Sequence, residues 1–422
     1  MRIAFVHNNC PGQYKHLAPR LAADPGNQVV FFSKPRRPEL PRVRKIEWVP
    51  RRTPSPSTHR YLRNFEEGVL NGQEVARAAQ ALKKEGFQPD VVCAHMGWGE
   101  ALYLKDVWPR AALLGYFEYF YHAFGTDVDF DPGREVGLDD VCRIRTKNAL
   151  HLLNLSIADQ GVTPTRWQWT LHPPEYRDKL TVLHEGIDTT TVGPDPSARL
   201  DVDSGLTLSA QDEVVTYVAR NLEPYRGFPS FMRALAILLK RRPRCHAVIV
   251  GGDGVSYGSR PVDGRSWREH LLEEVDLDRS RAHFLGRVPY ERYLKVLQVS
   301  RAHVYLSYPF VLSWSMLEAM AAGCLVVGSR TAPVEEVIED GRNGFLADFF
   351  SPEEIAGRIA EALDLHAGRD TLCERARQTV EERYSLAHCL PRHVELVRKL
   401  AGSAPSRTRA QAPAAGRKAT PR

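Results

Sequence analysis

Two stretches in the second half of the chain most constrain what it can fold into. The apolar run 214–219 has the composition of a buried strand and leads into Arg220, with Arg226 six residues further on. The stretch 313–323 begins with a serine-rich loop and continues as a short helix that carries Glu318 in its first turn. Strand ends followed by helix starts are typical of a parallel α/β sheet, which is the predicted fold class.

The two stretches together predict an anion-binding site. In open parallel α/β sheets, ligands bind at the carboxyl ends of strands, and helix N-termini receive phosphates there. Arg220 and Arg226 would add permanently charged guanidinium groups that bind phosphate oxygens in pairs, so a diphosphate is the predicted ligand. Each residue also has a simpler explanation. The arginines could be solvated loop charges, and Ser315 with Glu318 could form a capping box.

The chain is long enough for two α/β domains in series. It has 422 residues, of which 43% are hydrophobic. Strand–helix alternation begins near the N-terminus and begins again at Val214, after a segment rich in Pro and Asp. The predicted segments are an N-terminal Rossmann-like domain at 1–190, a linker at 191–206, a C-terminal Rossmann-like domain at 207–380, a helix at 381–400 that packs back on the first domain, and a disordered tail at 401–422.

Composition and missing motifs exclude several classes of protein. With 26% charged residues, a mean hydropathy of −0.36 and no run of about 18 apolar residues, the chain has the composition of a soluble protein. The N-terminus lacks the apolar core of a signal peptide, so we expect a cytoplasmic location. Seven cysteines without CxxC spacing indicate reduced thiols and no zinc site. A Walker A sequence is missing, and the glycines at 251–254 depart from GxGxxG spacing, which disfavours ATP and NAD.

One segment is strongly basic. Between Lys34 and Arg63 there are ten Lys or Arg residues and two acids, although the net charge of the chain is only +6. Two explanations stand side by side. The segment could face anionic lipid headgroups on the inner face of a membrane, or an acidic acceptor, or it could be a solvated surface loop. We predict no nucleic-acid partner, because no nucleic-acid-binding motif accompanies the charge.

Strand ends in the first half supply further site candidates. Gly12 lies in the turn after the first strand, where glycine would let a ligand approach the backbone, although a tight turn explains it equally well. His95 and Trp98 follow a second predicted strand. Glu118 ends a third, and His122 follows it among aromatic residues. The Glu118 carboxylate is therefore either a sugar contact or a surface acid.

Two other patterns in the first half are less specific. Asp127, Asp129 and Asp131 suggest a metal loop, but the calcium pattern fails because Pro132 stands where it requires glycine. A hydrated acidic loop is favoured over a Mg²⁺ site, and we predict no metal and no cofactor. The apolar run 155–158 predicts a strand.

Five segments of the second half resemble, in the same order, the retaining glycosyltransferases of family 4, which have the GT-B fold. They are 217–227, 248–254, 284–288, 318–327 and 334–345, and together they span roughly residues 214–385. The first half is similar more loosely, through its opening strand–turn–helix and through residues 184–188. The resemblance implies two Rossmann-like domains that face each other across a cleft, with a nucleotide-sugar donor held mainly by the second domain.

The resemblance also implies roles for individual residues. The implied catalytic residues are Glu118, Arg220, Arg226 and Glu318. The implied donor-binding residues are Gly12, Arg220, Arg226, Gly252, Arg287, Val288, Phe310, Ser313, Trp314, Ser315 and Glu318, and the acceptor-side candidates are His95, Trp98 and His122. In this scheme the arginines hold the diphosphate, Glu318 holds the ribose, and transfer retains the anomeric configuration without a metal.

Three positions depart from the family pattern. Phe310 stands where the family has the first glutamate of a pair, Arg226 where a lysine is usual, and Glu118 where a histidine is common. His95 and His122 are candidates to replace that histidine. The expected function is hexosyl transfer to a glycan or lipid-linked acceptor in cell-envelope or exopolysaccharide assembly. The alternatives are a catalytically weak nucleotide-sugar-binding partner subunit and a GT-B-fold nucleotide-sugar epimerase.

Overall fold

Two parallel sheets, one in each half of the chain, form the frame of the computed structural model, which describes residues 1–202, 205–365 and 368–403. The first sheet contains β1 (Arg2–Val6), β2 (Gln28–Ser33), β3 (Val43–Glu47), β4 (Val91–His95), β5 (Ala112–Tyr116), β6 (Gln160–Thr163) and β7 (Leu180–Val182). Its helices are α1 (Leu17–Ala22), α2 (Arg63–Lys84), α3 (Leu104–Val107), α4 (Leu138–Ile157), α5 (Arg166–Leu171) and α6 (Pro174–Arg177). Strands β1 and β4 are almost entirely apolar because helices cover both faces of the sheet.

A short antiparallel pair, β8 (Arg199–Asp201) and β9 (Thr207–Ser209), precedes the second sheet. The second sheet contains β10 (Val214–Asn221), β11 (His246–Gly252), β12 (Ala282–Gly286), β13 (Ala302–Tyr305), β14 (Leu325–Ser329) and β15 (Phe345–Ala347). Its helices are α7 (Phe228–Arg241), α8 (Trp267–Glu274), α9 (Tyr290–Gln298), α10 (Trp314–Ala321), α11 (Ala332–Glu335) and α12 (Pro352–Asp364), followed by α13 (Arg369–Arg383) and α14 (Leu386–Ser403).

Both sheets reverse their strand order at the same relative place. The orders are β3-β2-β1-β4-β5-β6-β7 and β12-β11-β10-β13-β14-β15, so β1 lies between β2 and β4, and β10 lies between β11 and β13. Ligands bind at the carboxyl ends of strands beside such a switch point. The residues that follow β1, β4, β10 and β13 are therefore the ones that the topology brings to a site.

Helix α14 returns to the first domain. Its buried residues Val394 and Val397 share an apolar cluster with Phe5 of β1, and the His393 ring lies 3.0 Å from the His184 carbonyl oxygen. No helix among residues 1–202, 205–365 and 368–403 combines the length and the apolar character needed to cross a membrane. The predicted disordered tail starts inside α14, and residues 404–422 lie outside the described residues.

The predicted strand at 155–158 is wrong. Residues 155–157 are the last turn of α4, and the strand that joins the sheet is β6, which begins at Gln160. Along α4, Ile144, His151 and Leu155 are buried at helical spacing. A run of four apolar residues does not distinguish a buried helix segment from a strand, and here the longer helical period decides the structure.

Candidate functional site

A cavity of about 680 Å³ lies between the carboxyl edges of the two sheets. The first domain lines it with His7, Gly12, Gln13, Trp98 and Glu118, among others, and the second domain with Arg220, Arg226, Tyr257, Ser313 and Trp314. The structure thus brings the strand ends that the sequence singled out into one interdomain cleft.

Arg226 is the most unusual residue of this cleft, because it is a buried cation. Its side chain is 9% exposed, and its guanidinium donates to the Tyr305 hydroxyl at 3.1 Å and to Ser307 Oγ at 2.7 Å. The guanidinium also lies 5.5 Å from the centre of the Tyr257 ring. Among the described residues no carboxylate forms an ion pair with it. Because burying a charge without a counter-charge is costly, the geometry favours an anion in the cavity.

The loop geometry that places Arg226 depends on the next residue. Gly227 has φ +69°, and a Cβ there would approach Leu306 Cβ to 2.3 Å, so only glycine fits. The hydroxyl of Tyr217, in β10, donates to the Arg226 carbonyl oxygen at 2.7 Å. Arg220, at the end of β10, is exposed and lines the cavity beside Arg226.

Tyr305 connects Arg226 to the start of α10. Its hydroxyl oxygen also accepts from the Ser313 backbone N–H at 2.8 Å, so one phenol binds both the arginine and the serine loop. Ser313 is the N-cap residue of the helix, and its side chain accepts from the Ser315 backbone. The arginine and the helix N-terminus therefore face the cavity as one unit, as the sequence predicted.

Two interpretations of Glu318 are wrong. The residue lies in the second turn of α10, not the first, and it takes no part in a capping box. Its carboxylate instead accepts from the Tyr290 hydroxyl at 2.9 Å and the Tyr293 hydroxyl at 2.7 Å. The helix begins two residues earlier than the Ser315–Glu318 spacing suggested, because Ser313 caps it. Glu318 lines a small cavity that adjoins the main one and shares Trp314 with it.

On the opposite wall of the cleft, His7, Gln13 and Glu118 are hydrogen-bonded in series. The Asn9 backbone donates to His7 Nδ1 at 2.8 Å, so the His7 Nε2–H points at Gln13 Oε1, 2.6 Å away. Gln13 Nε2 then donates to Glu118 Oε1 at 3.0 Å, and His95 Nε2 lies 3.6 Å from Glu118 Oε2. These donors orient a carboxylate that remains partly exposed to the cavity.

The protonation states of His7 and Glu118 depend on their burial and on their neighbours. Burial, with the neighbouring His95, lowers the pKa of His7 to about 3. Burial alone would raise the pKa of Glu118, but hydrogen bonding and charge from His95, aided by His7 and Gln13, lower it overall. At neutral pH the wall therefore presents a single anionic group and a neutral His7. Trp98 stacks on the His95 ring with their centres 4.0 Å apart and adds a flat apolar surface.

The two glycines that were predicted to contact the donor, Gly12 and Gly252, lie in different places. Gly12 has φ +49° and lines the cavity, and a Cβ there would come within 2.4 Å of the His7 ring. Gly252 lies against Arg287 and Asn221 instead, with its hypothetical Cβ 2.7 Å from Arg287 Nε. Arg287 donates to Asn221 Oδ1 at 2.9 Å, and neither Gly252 nor Arg287 is among the described residues that line the main cavity.

Three other candidates lie away from the cavity lining. Phe310 is 8% exposed and packs between Tyr119 and Tyr257, at centre distances of 4.7 and 5.1 Å. Val288 packs against the second-domain core. His122 pairs its Nε2 with the Leu171 carbonyl oxygen at 2.7 Å and is separate from the His95–Trp98 pair.

The prediction of a hydrated acidic loop at residues 127–131 is wrong for Asp127. Asp127 is 5% exposed and accepts hydrogen bonds from two tyrosine hydroxyls. Asp129 accepts from the Gly125 backbone at 2.8 Å, and Asp131 accepts from the Gly133 backbone at 2.9 Å. Tertiary contacts of Asp127 override the polar composition of the segment.

Sequence reasoning missed Glu185 as a site residue. Its carboxylate accepts from the Tyr116 hydroxyl and, across the cleft, from Trp314 Nε1 at 3.0 Å. Burial raises its pKa to about 7, although the Trp314 hydrogen bond opposes the rise. Its position just after β7 was the available signal. Gln13, Tyr257 and Tyr305 were missed too, because their roles depend on contacts from other strands.

Replacing Glu185 with glutamine is expected to change how stability depends on pH. The folded state keeps a proton on Glu185 that the unfolded chain loses near pH 4.5, so the free energy of unfolding falls as pH rises from 4.5 to about 7. Glutamine removes this loss and keeps an oxygen for Trp314. We compare the free energy of unfolding of the variant with that of wild type, by urea unfolding at pH 5 and at pH 8. The difference in favour of the variant should increase by on the order of 2 kcal/mol from pH 5 to pH 8.

An equal stability difference at both pH values would contradict this prediction. Glu175→Gln is the control, because Glu175 is an exposed acid in the same domain.

Family models match both halves of the chain. The family model described as "Glycosyl transferase family 4 group" matches residues 25–192, and the one described as "Glycosyl transferases group 1" matches residues 204–379. The chain belongs to the group 1, family 4 type of glycosyltransferases and has the GT-B fold, which confirms the resemblance and the predicted fold class.

Individual relatives are more distant. Spore coat protein SA of Bacillus subtilis is 26% identical over 317 residues, which are 72% of this chain and 76% of that protein. D-inositol 3-phosphate glycosyltransferase of Streptomyces griseus is 29% identical over 202 residues, less than half of either chain (46% and 42%).

Solved structures share the fold at low identity. Sucrose-phosphate synthase from Thermosynechococcus elongatus has a TM-score of 0.71 at 19% identity and covers 96% of this chain and 100% of its own. Anabaena HepE in complex with UDP-glucose has a TM-score of 0.66 at 16% identity and covers 94% of this chain and 100% of its own.

Proposed function

We propose that the protein is a retaining glycosyltransferase that moves a sugar from a nucleoside-diphosphate sugar to a glycan or lipid-linked acceptor, in cell-envelope or exopolysaccharide assembly. The observation that carries the proposal is Arg226, a buried guanidinium with only neutral partners among the described residues, facing an interdomain cavity. A diphosphate supplies the missing negative charge. HepE, a structural neighbour, was solved with UDP-glucose, which supports a donor of this class.

Arg220, Arg226 and the start of α10 would stabilise the departing diphosphate. Charge builds up on that group as the bond to the sugar breaks, and fixed cations in a cleft lower the energy of that state. In this scheme the acceptor hydroxyl bonds to the anomeric carbon on the face that the diphosphate leaves, and the hydroxyl proton passes to the diphosphate. The protein cations then do the work that a metal would otherwise do.

The Glu118 wall would hold sugar hydroxyls. An oriented carboxylate is a strong acceptor for hydroxyl groups, and Trp98 offers the flat surface on which sugar rings pack. Glu318 lies beside Trp314 in the adjoining cavity, where its carboxylate would accept from the ribose hydroxyls of the donor.

The test is to incubate the purified chain with UDP-, GDP-, ADP- and TDP-sugars and to follow thermal stability, donor consumption and the anomeric proton of any product by NMR. One nucleoside diphosphate should raise the melting temperature, and the product should keep the donor's anomeric configuration. Stabilisation without turnover would favour the partner-subunit alternative, and a new sugar nucleotide formed without acceptor would favour the epimerase. An inverted product would overturn the retaining mechanism.

Anionic membrane remains a proposed partner, but the structure reduces the charge that is available for it. Half of the ten basic residues between Lys34 and Arg63 form ion pairs with acids. The paired residues are Arg44, Lys45, Arg51, Arg52 and Arg60, with Glu85, Glu47, Glu74, Glu66 and Asp139 respectively. The remaining cations form no ion pair with a described residue, and Lys34 lies over the Trp48 ring.

We therefore expect weak, salt-sensitive vesicle binding. The protein should sediment with phosphatidylglycerol vesicles at about 0.01 M salt and dissociate at about 0.15 M, where screening acts within about 8 Å. The double variant Arg36→Gln/Arg63→Gln should bind less than Arg241→Gln/Arg279→Gln, which removes equal charge from the second domain. Equal binding by the two variants, or no binding at low salt, would contradict the proposal.

A further inference from the structure

Asp127 joins the two domains at the edge of the cleft. It lies in the segment between β5 and α4, is 5% exposed, and uses both carboxylate oxygens. Tyr119 of the first domain donates its hydroxyl to Oδ1 at 3.0 Å, and Tyr225 of the second domain donates to Oδ2 at 2.9 Å. A buried carboxylate with two hydroxyl donors is thus shared between the halves of the protein.

Tyr225 is the neighbour of Arg226 in the turn Pro224–Arg226, which we call the arginine loop. Within its own domain the loop is held by the Tyr308 backbone, which donates to the Tyr225 carbonyl at 3.0 Å, and by a Tyr225–Tyr308 ring stack at 4.7 Å. Of the hydrogen bonds between described residues, Tyr225 to Asp127 is the one that ties this loop to the first domain.

Through Tyr119, Asp127 is also linked to the backbone at Pro309, on the other side of the predicted diphosphate site. The Tyr119 hydroxyl lies 3.1 Å from the Pro309 carbonyl oxygen as well as 3.0 Å from Asp127, so its proton is shared between the two acceptors. Pro309 precedes the segment that leads to Ser313 and α10. Asp127 is therefore connected, through one tyrosine each, to the arginine loop and to Pro309, four residues before Ser313.

We propose that Asp127 is a positioning residue, which sets the arginine loop in its anion-binding arrangement and couples that arrangement to contact between the domains. The inference rests on the proposed function, since it assumes that Arg226 receives a diphosphate. Charge-assisted hydrogen bonds are the strong ones, and this one forms only when the domains meet. Donor binding and domain closure would then reinforce each other.

The chemistry of the partners supports this role. Burial and the Asp127 carboxylate raise the pKa of Tyr225, so its hydroxyl stays protonated and remains a donor. A second interdomain contact is independent of the loop: the Glu336 carboxylate accepts from the backbone N–H groups of Arg166 at 2.8 Å and Trp167 at 2.6 Å. Glu336 supplies a matched control, because its loss weakens domain contact without touching the arginine loop.

The experiment compares Asp127→Asn, Tyr225→Phe, the double variant and Glu336→Gln. Hydrogen–deuterium exchange of residues 222–228 is measured first, in the protein without nucleotide. Loss of a hydrogen bond to a charged group should speed exchange of this segment about tenfold in both single variants. The increase should be much smaller in Glu336→Gln, which weakens domain contact but leaves the Asp127–Tyr225 hydrogen bond in place. Dissociation constants for UDP, GDP and ADP are then measured by calorimetry. The nucleotide that binds wild type should bind each single variant about tenfold more weakly, and the double variant no more weakly than either.

Three results would overturn the proposal. They are unchanged exchange of residues 222–228 in the single variants, additive losses of nucleotide affinity in the double variant, and an increase in exchange of this segment that is equally large in Glu336→Gln. A fall in melting temperature with unaltered nucleotide affinity would also overturn it, since that is what a merely structural contact predicts. If wild type binds no nucleoside diphosphate while the loop still exchanges faster in Asp127→Asn, the loop contact stands and the proposed function fails.

Discussion

Replacing Arg226 with glutamine is expected to abolish sugar transfer, with a fall in kcat/KM of about 10³-fold or more. The guanidinium is buried, is fixed by Tyr305 and Ser307, and faces the cavity where the diphosphate would leave. Removing one preorganised group that stabilises a developing charge costs about 2.7–4 kcal/mol of activation free energy in other enzymes. Steady-state kinetics with the donor identified by thermal shift measure the effect.

Two further variants separate charge from geometry at this position. Arg226→Lys keeps the charge but loses the planar fork that can bind Tyr305, Ser307 and phosphate together, so we expect intermediate activity. Arg233→Gln is the control, because it removes one positive charge from an exposed ion pair with Glu274 in the same domain. Full activity in Arg226→Gln, or an equal loss in Arg233→Gln, would refute the diphosphate assignment.

Replacing Glu118 with glutamine should lower kcat by about 10²-fold and leave nucleoside-diphosphate affinity nearly unchanged. A hydrogen bond to a charged group contributes about 1.5–3 kcal/mol, and the glutamine amide would direct its N–H groups towards Gln13, which already donates, or towards the nearby His95 ring. The nucleotide would be held mainly by the second domain, so its binding should not depend on Glu118. Kinetics and calorimetry together test this division.

The pH profile adds a second readout for Glu118. Because its pKa is lowered in the folded protein, the carboxylate stays ionised down to pH values below its usual range near 4.5, and activity should not fall at mildly acidic pH through this group. Glu135→Gln, an exposed acid of the same domain, should have wild-type kinetics. Weaker nucleotide binding in Glu118→Gln with unchanged kcat would contradict the assignment to the sugar side.

Much of the fold was predictable because its signals are local. Buried parallel strands such as β1 and β4 are almost entirely apolar, and turns rich in glycine, proline and asparagine separate them from helices. The strand predicted at 155–158 failed because four apolar residues fit a helix end as well as a strand. In that case the neighbouring buried positions of α4 determined the outcome.

The candidate site was only partly predictable. Arg220, Arg226, Ser313 and Trp314 could be selected because charged or polar residues at strand ends and helix starts have few structural reasons to be there. Glu318 was placed in the wrong turn, since a capping motif read from spacing does not show which serine caps the helix. The Tyr290 and Tyr293 hydroxyls that hold its carboxylate come from α9, a separate helix.

The sequence by itself determined the family, the two-domain α/β fold and the strand ends that carry the chemistry, because these depend on residue type and on spacing along one segment. Only the tertiary structure decided which groups meet. It buried Arg226 without a counter-charge from any residue that the structure describes, and it oriented Glu118 through Gln13. It also placed Asp127, which the sequence suggests is a loop acid, at a contact between the domains. Such contacts join residues roughly 100 positions apart, as in the Asp127–Tyr225 pair. Burial and hydrogen-bond geometry between distant segments arise only when the sheets pack, so no local pattern records them.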